Sequence, residues 1–123
     1  MKIERETAAG MNTFTAYGEG WVEVSGKRHG ANVLVSGERV EPGWTAGPFS
    51  SLTAGDIEAL AGHGPEIVLL GTGKAFRFPH PSLLAPLYAA GIGVEVMDTR
   101  AACRTYNILL GEGRRVTAAI IVE

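Results

Sequence analysis

Short runs of alternating apolar and polar residues fill the first third of the chain. Phe14–Tyr17, Trp21–Val24 and Asn32–Val35 each read as a strand, with glycine-bearing turns at Gly18–Gly20, Ser25–Gly30 and Ser36–Glu38 between and after them. Such runs bounded by such turns are hairpin signals, so this portion is expected to be antiparallel. Pro42, Pro48 and the glycines between them mark an irregular connection. The period then changes. Thr53 with Asp56 has the spacing of a capping box, and Leu52 with Ile57 that of a hydrophobic staple, so a helix opens there. It ends near Gly62 or Gly64, ahead of Pro65, which cannot continue it.

The second half carries longer apolar runs. Ile67–Leu70 is apolar at every position after Glu66, the mark of a strand covered on both faces. A helix is expected from Pro81 or Ser82 to about Ala90, with Gly91 beyond its end; Pro86 inside it removes one backbone donor and makes it short or kinked. Val94–Met97 returns as a strand, completing a βαβ unit, which is right-handed in about 98% of cases. Asp98 or Thr99 caps a third helix, whose Ala102, Tyr106 and Leu109, with Cys103 and Leu110, share one face. Glu112-Gly113 ends it, and Val116–Val122 is a final strand apolar on both faces. The class is α/β: a mixed sheet whose parallel part is buried between helices, with an antiparallel N-terminal portion.

Parallel neighbouring strands send their exits to the same edge of a sheet, where ligands bind in open α/β folds. The two exits here are Gly71-Thr72-Gly73-Lys74 and the stretch Met97–Asn107. They are expected to share a rim, with Thr72 and Thr99 at the same end of the molecule.

Length and charge narrow the options. A chain of 123 residues is one domain, 1–123, and buries roughly two-thirds of its unfolded surface. A net charge of −2 lacks the basic footprint of a nucleic-acid binder and argues against a polybasic membrane anchor. The single cysteine, Cys103, allows no internal disulfide and no paired-cysteine metal or redox motif, which fits a reducing compartment. The charged opening MKIERETAAGMN has no signal-peptide core, and no apolar run approaches the ~18–20 residues that span a bilayer. A cytoplasmic protein with no membrane span, cofactor or metal is expected.

Several residues at the expected rim each admit two readings. Gly71–Lys74 invites a phosphate, because glycines let backbone approach an anion and a lysine adds charge. A P-loop would need glycine where Val68 stands and Ser or Thr where Ala75 stands; a dinucleotide fingerprint would need glycine at Phe76. A glycine-permitted bend is the plainer reading. Asp98 and Thr99 are either acid/base groups or helix caps. Cys103, in the first turns of a helix beside Arg100 and Arg104, is either an activated thiol or a buried small hydrophobe. Lys74, Arg77, Arg100 and Arg104 either converge to meet an acidic group or form a solvated face. Asn107 either bonds a neighbouring loop or faces water, and Tyr106 is most simply a core aromatic. His29, His63 and His80 are scattered over turns without ligand spacing.

The run from Gly71 through Ile121 resembles a family of small α/β proteins of unknown biochemical function that includes a mitochondrial assembly factor for respiratory complex I. The matching residues are Gly71-Thr72-Gly73, Gly91–Glu95, Met97-Asp98-Thr99, Ala102-Cys103, Thr105-Tyr106-Asn107 and Glu112–Val116. The resemblance implies a three-layer domain with a mixed central sheet. It supplies no catalytic residues. With no transit-like leader at its start, the chain is expected to be a bacterial relative.

Together these point to a non-enzymatic, assembly-type protein, linked to respiratory complex assembly, that holds an unknown protein partner or small ligand. The expected site is Gly71, Thr72, Gly73, Lys74, Asp98, Thr99, Cys103, Arg104 and Asn107. A thiol-dependent enzyme or redox protein acting through Cys103, and an anion-binding domain at Gly71–Lys74, are the alternatives.

Overall fold

The structure, a computed structural model, describes residues 10–123. Residues 1–9, which make up most of the charged opening segment, lie outside the described residues. The chain runs through strands β1 (Phe14–Gly18), β2 (Trp21–Val24), β3 (Lys27–His29), β4 (Val33–Ser36) and β5 (Val40–Pro42), then helix α1 (Ala54–Glu58). It continues through β6 (Ile67–Gly71), α2 (Pro81–Ala89), β7 (Gly93–Met97), α3 (Thr99–Gly111) and β8 (Val116–Ile120).

The strands form two sheets. β1, β2 and β3 make an antiparallel ribbon, and the remaining five lie in the order β5-β4-β8-β6-β7. Within the larger sheet β6 runs parallel to both β7 and β8, whereas β4 is antiparallel to β8 and β5. The mixed α/β class and the βαβ crossover follow the residue pattern. The ribbon is a separate sheet rather than an extension of the mixed one.

Two apolar cores sandwich the larger sheet, since successive side chains on a strand point to opposite faces. On one side Val33, Val35, Leu69, Ala118 and Ile120 pack with Cys103, Tyr106 and Leu110 of α3 and with Phe14, Tyr17 and Val22 of the ribbon. On the other, Leu34, Val68, Leu70, Ala119 and Ile121 meet Ile57, Leu60, Leu84 and Leu87 from α1, the turn after it, and α2. The result is three layers. Each fully buried leucine contributes about 1.5–3 kcal/mol.

Three local details depart from the expectation. Lys27–His29 is a strand, so the turn expected over 25–30 is confined to Ser25 and Gly26, where Ser25 takes φ 48° and Gly26 φ 86°. The capping box at Thr53 and Asp56 forms in full, but α1 is one short piece that tightens into a 3-10 turn, Ala59–His63, closed by left-handed Gly64. β7 is the edge of its sheet and only partly covered, with Glu95 exposed, whereas β6 is central. Pro86 is accommodated within α2, which is nine residues long.

Candidate functional site

β6 and β7 run side by side in one direction, with Gly71 opposite Met97. Their exits are stitched together. The Thr72 amide donates to the Met97 carbonyl at 2.9 Å, the Gly73 amide to the Thr99 hydroxyl at 2.9 Å, and the Thr99 amide to the Gly73 carbonyl at 2.9 Å. The Thr99 hydroxyl in turn donates to the Ile121 carbonyl at 2.7 Å. Thr72 and Thr99 therefore occupy the same rim, as parallel neighbours require.

The glycines of the first exit are there for space and backbone shape. A Cβ at Gly71 would lie 2.9 Å from Ile120, 3.1 Å from the Thr99 hydroxyl and 3.2 Å from Ala102, so this glycine lets the first turn of α3 rest on β6. Gly73 has φ 99°, and a Cβ there would come within 2.6 Å of the Glu123 carboxylate. The Thr72 hydroxyl donates to the Ala75 carbonyl at 2.7 Å and accepts from the Arg77 amide at 3.1 Å. The Thr72 hydroxyl is thus consumed inside the loop and the Thr72 and Gly73 amides by the neighbouring exit, and Lys74 is the charged group the exit presents outward.

On α3 the expected residues separate into two sets. Asp98 caps the helix, accepting from the Ala101 amide at 2.9 Å. Cys103 is fully buried; desolvation pushes its thiol pKa well up, against a smaller pull from Arg104 and with a further push from Asp98. That environment favours the neutral thiol over the thiolate that nucleophilic chemistry requires. Asn107 is also buried, and its amide accepts from the Phe14 amide at 2.9 Å and donates to the Phe14 carbonyl at 2.7 Å. Tyr106 donates to the Asn12 carbonyl at 2.9 Å and meets the Phe14 ring edge-to-face at 5.2 Å; burial raises its hydroxyl pKa. Cys103, Tyr106 and Asn107 therefore belong to the joint between α3 and the ribbon, beneath the surface; Gly71 and Thr72 are also buried, at the end of β6.

Of the expected residues Gly73, Lys74 and Thr99 line a cleft of about 210 Å³ between the rim and the first hairpin, together with Tyr17, Trp21 and Arg100, whereas Asp98 and Arg104 are not part of its lining. The four cations divide. Arg77 pairs with Glu123 and lies over the Phe49 ring at 5.3 Å, whereas Lys74 and Arg100 border the cleft. Arg100 sits 5.6 Å from the centre of the Tyr17 ring, and Arg104 lies 5.8 Å from it while donating to the Tyr17 hydroxyl at 2.6 Å. Glu19 and Glu123 also line the cleft, the second already engaged by Arg77. Tyr17 and Trp21 read in the sequence only as strand residues. The one local signal is Gly18, whose missing side chain leaves room for the Trp21 ring.

His63 contacts Arg39 at 3.2 Å and Glu41 at 3.6 Å, and His80 caps α2. Among the described residues no group of three or more His, Cys, Asp or Glu is placed to hold a metal ion, and no helix is long and apolar enough to cross a membrane.

Comparison with known proteins places this geometry in a lineage. Residues 14–121 match the model of a family described as protein of unknown function (DUF498/DUF598). An uncharacterised protein of Rhodobacter capsulatus is 37% identical over 113 residues, covering 92% of this chain and 86% of that protein. NADH dehydrogenase [ubiquinone] 1 alpha subcomplex assembly factor 3 of Mus musculus is 39% identical over 80 residues, 63% of this chain and 43% of the mouse protein. The matched part thus spans less than half of that assembly factor. A crystal structure of a Bordetella parapertussis protein superposes with a TM-score of 0.88 at 42% identity, covering 94% of this chain and 99% of that one. With the family model matching nearly all of the described residues and a solved relative sharing the same fold, the chain belongs to the DUF498/DUF598 family of proteins of unknown function.

Proposed function

We propose that this protein is a non-enzymatic, assembly-type factor that holds an acidic group of a partner polypeptide in the cleft between the strand-end rim and the first hairpin. One observation carries the reading. Lys74 and Arg100, each exposed and without a carboxylate partner among the described residues, face one small cleft floored by Gly73 and Thr99 and walled by Tyr17 and Trp21. Cations at such a site meet a carboxylate without first breaking an internal ion pair, and aromatic walls lower the local dielectric and strengthen the contact. Relatives named as assembly factors of NADH dehydrogenase supply the partner class: a subunit of that respiratory complex before it is complete.

The test is the amount of assembled complex. In a host that carries the complex, deleting this gene should lower the NADH dehydrogenase band on native gels. Wild-type protein should restore it, and Lys74→Glu/Arg100→Glu should fail to do so while keeping a native melting temperature. A deletion that leaves the band unchanged would end the assembly reading. Full rescue by the double charge reversal would end the assignment to this cleft. Neither the thiol alternative nor the anion-loop alternative gains support, since the Cys103 thiol is buried and the Gly73 amide is already bonded.

A further inference from the structure

A second cavity, of about 360 Å³, lies at the other end of the larger sheet, where β6 and β8 begin, and none of the rim residues borders it. Pro65, Leu110 and Val116 give it a buried apolar lining, and the flexible Met11 side chain adds to it. Its surroundings are fixed in place. The Asn12 amide donates to the Gly37 carbonyl at 3.0 Å and its side chain to the Ser36 carbonyl at 3.1 Å, while Ser36 and Arg39 bond across the turn between β4 and β5. A site built this way needs little ordering when a ligand arrives.

Two groups in the lining are left over by the fold. Thr117 is 2% exposed, yet its hydroxyl makes no hydrogen bond among the described residues. Buried hydroxyls are ordinarily bonded, so this one has its partner to find in the cavity. Arg115 donates its Nε to the Gly64 carbonyl at 3.4 Å and makes no ion pair among the described residues, which leaves the terminal nitrogens of its guanidinium unused. Arg39 and Arg114 also line the cavity. Their carboxylate partners, Glu41 and Glu66, stand outside the lining, and exposed Glu38 is the one carboxylate among the described lining residues.

We infer that this cavity binds a small organic acid, a single carboxylate on a compact apolar body. The planar fork of a guanidinium matches a carboxylate, and Arg115 has that fork to spare. The Thr117 hydroxyl supplies a further donor, and Leu110 and Val116 supply apolar contact for the body. One negative charge suits the site better than two. Glu38, Glu41 and Glu66 already offset much of the positive charge, and a phosphate dianion would be repelled by them. The volume lies near the lower end of the ~300–1,000 Å³ typical of small-molecule sites, which favours a compact ligand. The cavity is separate from the cleft, so the inference does not depend on what the cleft holds.

The experiment is an amide NMR titration of the full chain with hexanoate, run in parallel with hexanol and with inorganic phosphate. Hexanoate should saturate with a Kd of about 1 mM or tighter, moving the amides of Gly37, Gly64, Arg115 and Thr117 and leaving those of Gly73 and Thr99 in place. Hexanol and phosphate should each bind at least about tenfold more weakly. Arg115→Gln should weaken hexanoate about tenfold, and Thr117→Val about fivefold. Thr117→Val should also keep or raise the melting temperature, because the hydroxyl it removes has no partner in the protein. Three results overturn the inference: no saturable shift with hexanoate, equal binding of hexanol or phosphate, or unchanged hexanoate affinity in both variants. Shifts confined to Lys74 and Arg100 would do so as well, since the acid would then be in the cleft.

Discussion

The two faces of the five-stranded sheet are covered by different means. On the α1/α2 face the helices themselves pack through apolar side chains, Leu34, Leu70, Leu84, Leu87 and Ile121 among them, and the polar links there, from Asn32 to the Thr45 and Gly47 carbonyls and from Trp44 to the Ile120 carbonyl, tie down the connecting loop. On the α3 face an apolar core is pinned by specific polar pegs that fasten a second, separate sheet. Asn107 grips both backbone groups of Phe14, Tyr106 bonds Asn12, and Arg104 reaches the Tyr17 hydroxyl. The difference teaches where the conspicuous residues of α3 are spent. A ribbon of three short strands is marginal alone, so it is held by side chains that look like chemistry in the sequence and act as architecture in the fold. The cleft forms only because that ribbon is held against the rim.

If α3 is committed to this joint, Cys103 should resist thiol reagents in the native protein by at least about a thousandfold relative to the unfolded chain, since reaction then requires opening. Mass-spectrometric alkylation kinetics with and without urea measure this, and rapid native labelling would revive the thiol reading. The raised thiol pKa adds a sign: the neutral thiol's stabilisation is complete below the ordinary cysteine range and declines as pH rises through it, where the unfolded chain ionises first.

The next test sets one face against the other. Asn107→Leu leaves the Phe14 amide and carbonyl buried and unpaired, for a loss of about 4 kcal/mol. Leu84→Ala opens a cavity on the opposite face, for about 3 kcal/mol. Urea denaturation gives both totals, and hydrogen exchange separates them. Only the Asn107 variant should lose protection in β1 and β2 ahead of β6 and β8, so uniform loss in both variants would erase the contrast between the faces.

Tyr106→Phe removes one hydroxyl bond to Asn12 and should cost about 1 kcal/mol, with the edge-to-face contact to Phe14 kept. The smallest effect belongs to Glu66, at the end of the sheet away from the cleft. Its carboxylate accepts from the Arg115 amide at 2.9 Å and pairs with Arg114 at 3.1 Å, which holds its pKa below the usual value of 4.5. The stabilisation is present above that value and is lost as pH falls through the lower folded value. Glu66→Gln should therefore shift the urea midpoint slightly at neutral pH and not at all in strong acid; a persisting gap in acid would assign the effect to something other than charge.

The residue pattern by itself determined a good deal. Four apolar positions after Glu66, the crossover helix and the return at Val94 dictate parallel neighbours, and parallel neighbours dictate a shared rim for Thr72 and Thr99. The capping box at Thr53 and the cap at Asp98 are also local, because their partners lie three residues away. Tertiary structure alone decided which rim residues face solvent. Whether Asn107 bonds a ligand or Phe14, whether Arg77 is free or tied to Glu123, and whether Tyr17 and Trp21 join Lys74 and Arg100 depend on contacts across most of the chain's length. Periodicity states which face of an element is buried, but not which distant segment buries it, and here that segment is the ribbon that closes the cleft.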